Sequence, residues 1–124
     1  MAIVNAFAGI MVTHLEPSVA WYEKLLDRPP DARPMEGLAE WKLPQGAWIQ
    51  VYQDRERAGF SSVTLQVTNF EEHLEHLRIR EIPLGEITSS DYVKTVTISD
   101  PSGNRVVLAE LTTQHPATSS PVTG

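Results

Sequence analysis

Ile98-Ser99-Asp100-Pro101-Ser102-Gly103-Asn104-Arg105-Val106-Val107-Leu108 reads as a strand, a tight turn and a second strand. In such a turn Asp accepts from backbone N–H groups, Pro presets φ, and Gly takes the positive φ that reverses the chain. Asp100 is therefore read as a turn residue rather than a base. A looser copy stands earlier, Leu43-Pro44-Gln45-Gly46-Ala47-Trp48-Ile49-Gln50-Val51, again with Pro and Gly between two strand segments. Upstream of each copy an alternating strand leads into a helix: Phe7-Ala8-Gly9-Ile10-Met11-Val12 in one case, Ser62-Val63-Thr64-Leu65-Gln66-Val67 in the other. The chain thus holds one unit twice, and a repeat of this size constrains both the fold and the place of a cleft.

Working outward, Ile3–Val12 is the first strand. A helix follows over Pro17–Leu26, with Pro in its first turn, Glu16 at its positive end, and Val19, Tyr22 and Leu26 as an inward stripe. Asp27-Arg28-Pro29-Pro30 ends it, because Pro can neither donate nor continue the ladder. A weak strand over Ala32–Met35 precedes stronger ones at Leu38–Leu43 and Ala47–Gln53. Asp54–Phe60 is a charged linker. In the second copy a helix spans Phe70–Arg80, with Asn69 at its N-cap and Phe70, Leu74 and Leu77 buried. Ile82–Thr88 is irregular, and Tyr92–Ser99 and Asn104–Leu111 form the last hairpin. Residues 112–124, rich in Thr, Ser and Pro, read as a disordered tail. The fold class is α+β: two tandem β-α-β-β-β modules, about 3–53 and 61–111 of one domain spanning 1–111, form curved mixed sheets around a cleft.

The 124 residues suffice for one core without staples, and the absence of Cys removes disulfides, thiolate metal sites and thiol nucleophiles. A net charge of −6 argues against nucleic acid, whose phosphates demand a basic face. No signal-peptide pattern opens the chain and no apolar run could span a bilayer, so a cytoplasmic protein with no membrane partner is expected.

Alternation divides each strand into a helix-facing and a cleft-facing set. The first is apolar: Ile10, Val12, Ile49, Val51, Val63, Leu65, Val96, Ile98, Val106 and Leu108. The second supplies the candidate ligand-binding residues: Phe7, Gly9, Met11, Glu40, Trp48, Gln50, Tyr52, Ser62, Thr64, Arg105 and Val107. Aromatic, small polar and single charged groups together are what an orienting small-molecule cleft needs. Other constellations read as structural. His73 and His76 lie on a helix outside the sheet among Glu72 and Glu75, like a solvated face. His14 suits a loop or cap, His115 lies in the tail, and Ser61-Ser62 lacks the neighbours of a serine nucleophile.

Two stretches carry a family resemblance. Pro17–Leu26, with its core Trp21-Tyr22-Glu23-Lys24-Leu25-Leu26, and Ile98–Arg105 resemble the vicinal oxygen chelate superfamily, which includes glyoxalase I, bleomycin-resistance-type binding proteins and extradiol dioxygenases. The resemblance covers nearly all of Ile3–Leu111. It implies paired β-α-β-β-β modules with a ligand cleft, and a homodimer. Metal enzymes of that superfamily hold a divalent ion with His, Gln or Glu at four strand positions. Carried over through the resemblance and the repeat, these are Phe7, Gln50, Ser62 and Val107. Divalent sites need convergent imidazole or carboxylate donors, so the resemblance points to a metal-free branch with no cofactor.

Three functions remain open. One is metal-independent binding of a small organic ligand, aromatic or cationic, as in antibiotic or natural-product sequestration and the resistance it confers. The second is a cofactor-independent isomerase, cyclase or lyase using Glu40, Arg105 and Tyr52 as acid–base groups. The third is a glyoxalase-like metal lyase or dioxygenase with rearranged ligands, drawing on Gln50, Glu40, His14 and Glu110.

Overall fold

The computed structural model describes residues 2–112. The expected tail over 113–124, including His115, lies outside the described residues. Thr112, expected to open that tail, instead donates its backbone N–H to Tyr92 O at 3.0 Å and its hydroxyl to Asp91 O at 2.7 Å.

Seven strands and two helices follow in the order β1 (Phe7–Val12), α1 (Leu15–Leu26), β2 (Leu38–Lys42), β3 (Trp48–Gln53), β4 (Ser62–Gln66), α2 (Phe70–Ile79), β5 (Ile87–Ser89), β6 (Val93–Ser99) and β7 (Arg105–Leu111). They form an α+β fold with a three-stranded sheet, β1-β3-β2, and a four-stranded sheet, β4-β7-β6-β5. In both sheets the first strand of a repeat lies beside its last strand, as equivalent units require. In the first sheet β1 pairs parallel with β3, and β2 pairs antiparallel with it.

The chain divides into two compact units. The first holds the described residues up to Val63 together with Ser99–Arg105; the second holds Thr64–Ile98 and the described residues from Val106 on.

In the first unit, alternate residues of the sheet face α1 and are buried: Ile10, Val12, Ala39, Trp41, Ile49 and Val51. α1 contributes Leu15, Val19, Tyr22 and Leu25, and each such side chain stabilises by about 1.5–3 kcal/mol on burial. Trp41 completes the layer by donating its indole N–H to Arg28 O at 3.0 Å.

The turn Asp100–Asn104 belongs to this unit, not only to its own hairpin. Asp100 Oδ1 accepts from the backbone N–H groups of Ser102 and Asn104, both at 2.9 Å. Asp100 Oδ2 accepts from Tyr22 OH at 2.8 Å and Asn104 Nδ2 at 2.9 Å. Asn104 Nδ2 also donates to Met11 O at 2.7 Å, and Asn104 Oδ1 accepts from Ser61 N at 2.8 Å. Thr13 N donates to Ser102 Oγ at 2.9 Å. Gly59, with φ of +92°, passes so close that a Cβ there would sit 2.8 Å from Ser102 O, so glycine is needed for both reasons.

In the second unit α2 buries Phe70, Leu74 and Leu77, and the strands bury Leu65, Val96, Ile98, Val106 and Leu108. Val107 and Ala109 are buried too, because β7 is an interior strand flanked by β4 and β6.

Four expectations need correction. The first strand starts at Phe7 rather than Ile3. The Asn5 side chain instead accepts from Ala6 N and donates to Gly46 O, and such side-chain bonds to the backbone compete with a ladder. The Ala32–Met35 strand shrinks to one bridge between Ala32 and Glu40, since Pro34 removes the next donor. α1 begins at Leu15, two residues before Pro17. Asn69 holds the N-cap position of α2 at φ 59° but makes no side-chain cap bond.

The helix starts are capped from the sheets. Gln53 Oε1 accepts from Leu15 N at 2.9 Å. Glu110 accepts from Phe70 N at 3.1 Å and Asn69 N at 3.2 Å. Gln53 and Glu110 are repeat equivalents, and each caps its own unit's helix. Glu110→Ala is expected to lower stability by about 1 kcal/mol through the lost cap and the lost charge at the helix start, with Glu110→Gln recovering part of it, as read by urea unfolding.

Candidate functional site

The face of the first sheet turned away from α1 carries seven of the eleven expected site residues. Strand pairing arranges them in three rows: Phe7, Trp48 and Lys42; Gly9, Gln50 and Glu40; Met11, Tyr52 and Leu38. Side chains of period two share a face, so these rows project together, while their neighbours go into the core.

The first row is aromatic. The Phe7 and Trp48 rings stack with centroids 5.9 Å apart and planes 10° from parallel, and Phe7 remains 50% exposed. Two parallel rings open to solvent are uncommon outside binding surfaces, because that apolar area would otherwise be withdrawn from water.

The middle row is polar. Gln50 Nε2 donates to Glu40 Oε2 at 2.6 Å. Glu40 is buried although it lies on the open face, and Gly9 contributes only backbone. At the third row the face reaches a hollow of about 330 Å³ lined by Met11, Glu56, Arg57, Phe60 and Ser61. Ser61 Oγ there accepts from Met11 N at 3.0 Å, so it supports β1. A larger hollow, about 550 Å³, lies around Leu15, Glu16, Arg33 and Met35. It lacks aromatic walls, and its one cation, Arg33, is already paired with Glu16 at 2.8 Å. Chemistry therefore favours the open sheet face over the larger hollow.

The remaining four expected residues lie in the second sheet. Ser62 and Thr64 are exposed on β4, Arg105 is exposed at the start of β7, and Val107 is buried within β7. No sequence signal had singled out Phe60, an almost fully exposed aromatic at the Met11 end of the face.

Among solved structures the chain is similar to a glyoxalase/bleomycin resistance protein from Catenulispora acidiphila DSM 44928. The two share 29% sequence identity at a TM-score of 0.82, over 89% of this chain and 100% of that one. The fold is that of the vicinal oxygen chelate superfamily, which the sequence resembles. TnmS3, an antibiotic binding protein from Streptomyces sp. CB03234, shares the superfamily's fold with this chain at 15% identity and a TM-score of 0.78, covering 90% of this chain and 99% of its own. Oxidase ChaP-H1 does so at 16% identity and a TM-score of 0.72, covering 88% and 96%. No protein-family model and no curated protein sequence matches the chain.

Several superfamily members hold a divalent ion, and the four positions that would hold it carry other chemistry in this chain. Phe7, stacked on Trp48, and Val107 are hydrocarbon, and Ser62 and Gln50 offer only a neutral hydroxyl and a neutral amide oxygen. This set does not fit a divalent ion, which needs convergent anionic or imidazole donors. Glu110, a member of the rearranged set, is engaged at the start of α2. His14 stands at the N-cap position of α1 without a side-chain cap bond.

Proposed function

We propose that the open face of the first sheet binds a small planar organic molecule without a metal, as a sequestering protein of the glyoxalase/bleomycin resistance type. The observation that carries this reading is the Phe7–Trp48 stack, half-open to solvent and one row from the paired Gln50 and Glu40. Stacking supplies affinity and the polar row supplies orientation. The antibiotic-binding relative of the same fold supports antibiotics or natural products as the class. The reading includes a homodimer in the cytoplasm, with the exposed Ile3 and Val4 as apolar surface for a second copy. No helix among the described residues is long and apolar enough to cross a membrane.

Fluorescence titration with bleomycin and a panel of planar aromatic antibiotics tests the proposal. Trp41 is fully buried and Trp21 lies on α1 rather than on the open face, so quenching that disappears in Trp48→Ala reports on Trp48. Trp48→Ala is expected to weaken binding by at least about tenfold, the loss of one central aromatic contact. Ligand recovered unchanged by mass spectrometry supports sequestration. Chemically altered ligand would replace it with the acid–base reading, in which Glu40 is the buried carboxylate at the site.

A further inference from the structure

The middle row of the open face limits what a ligand must offer. Glu40 is 8% exposed, and among the described residues it has no ion pair. Its side-chain hydrogen bond is to a neutral amide, Gln50 Nε2, at 2.6 Å. An ionised carboxylate can only accept, so the amide must donate and its own Oε1 is left as an acceptor. The centre of the face therefore carries carboxylate and carbonyl oxygens with acceptor capacity to spare. Withdrawing a carboxylate from water without a cation is costly, and a donor arriving with the ligand would offset that cost.

Gly9 lies beside Gln50 in the register and is exposed, so β1 shows bare backbone between Phe7 and Met11. A Cβ at Gly9 would meet only Met11 Cε, at 3.3 Å, the movable end of a flexible side chain. The missing side chain makes a notch beside the stacked rings, and a flat ring lying in it would turn its edge toward Gln50.

We propose that this face selects planar aromatic molecules whose edge carries N–H donors, read by the Glu40–Gln50 pair, and that Gly9 sets how deeply the ring enters. This inference rests on the open face being the binding site. It reaches further by stating the donor requirement and by making Gly9 a specificity-determining position.

Two probes of equal ring size separate the questions. 2-Aminoquinoline presents N–H donors at its edge, and 2-methoxyquinoline presents acceptors only. Titrations followed by tryptophan fluorescence, with the Gln50 side-chain amide followed by NMR, should show 2-aminoquinoline binding at least about tenfold tighter, the scale of one hydrogen bond to a charged group. In Glu40→Gln that preference should shrink to within about threefold, because a neutral amide accepts more weakly than a carboxylate and its own N–H groups can donate to 2-methoxyquinoline. Gly9→Leu should weaken both probes together while Gly9→Ala retains them. Equal affinity for the two probes overturns the donor requirement and leaves the binding site standing. Unchanged binding in Gly9→Leu overturns the role of the notch. Failure of both probes to give any signal that depends on Trp48 overturns the binding site itself, and the inference with it.

Discussion

Asp100→Ala should cost about 4 kcal/mol of folding stability, the range for breaking a buried charged network. The carboxylate serves four donors: Ser102 N, Asn104 N, Asn104 Nδ2 and Tyr22 OH. Alanine would leave these groups facing one another in a space that water reaches poorly, since Asn104 and Tyr22 are fully buried. Domains of this size are stable by only about 5–15 kcal/mol, so the loss would move the urea midpoint far toward zero. Asp100→Asn should fall between. Its remaining oxygen can still accept from the two backbone N–H groups, but its amide nitrogen would confront the Asn104 amide, another donor. A loss below about 1 kcal/mol for the alanine variant would show that solvent satisfies the four donors and that the turn is not the clamp described.

The same turn shows what a linear reading captures. Its shape was legible because Pro101 and Gly103 leave few conformations open, and Gly103 does take a positive φ of 89°. Its structural role was legible too, from the acceptor pattern of Asp100. Its partners were not: Met11, Thr13, Tyr22 and Ser61 lie tens of residues away, and nothing local in Asp-Pro-Ser-Gly-Asn encodes them. The helix caps follow the same logic. Asn69 has the residue type of an N-cap, yet the group that satisfies Phe70 N is Glu110, brought there by β7. Gln53 and Glu110 each stand seven residues beyond the turn glycine of their copy, Gly46 and Gly103; only the folded chain shows that both positions serve helix starts.

The site was legible to the extent that it depends on period two. Alternation places Phe7, Gly9, Met11, Glu40, Trp48, Gln50 and Tyr52 on one face, and Trp41, next to Glu40 on β2, is fully buried on the other. The pairing of Glu40 with Gln50 depends on register between β2 and β3, which the tight turn sets and composition does not. Phe60 escaped notice because it sits in a charged linker, Asp54–Phe60, where no periodicity acts.

Tyr22 should make the protein sensitive to alkali in a way that a single substitution removes. Burial, the charge of Asp100 and the hydrogen bond to its carboxylate all push the phenol well above its ordinary value of 10.0. The folded chain therefore keeps this proton at a pH where the unfolded chain has released it. Stability from the neutral phenol is fully present below about pH 10 and declines above it, by about 1.4 kcal/mol per pH unit. By pH 12 the loss should reach about 2.7 kcal/mol relative to neutral pH. Tyr22→Phe has no such proton. It should start lower at pH 7 by about 1–2 kcal/mol, because Asp100 loses one donor and the phenol oxygen is gone from a packed site. Its stability should then fall less steeply, so that the two curves cross between pH 10 and 12. Tyr52, Tyr92 and the lysines are common to both proteins, so the difference between the curves isolates Tyr22. Parallel curves over that range would mean that the phenol ionises in the folded protein as readily as in the unfolded one, which its burial against the Asp100 carboxylate does not permit.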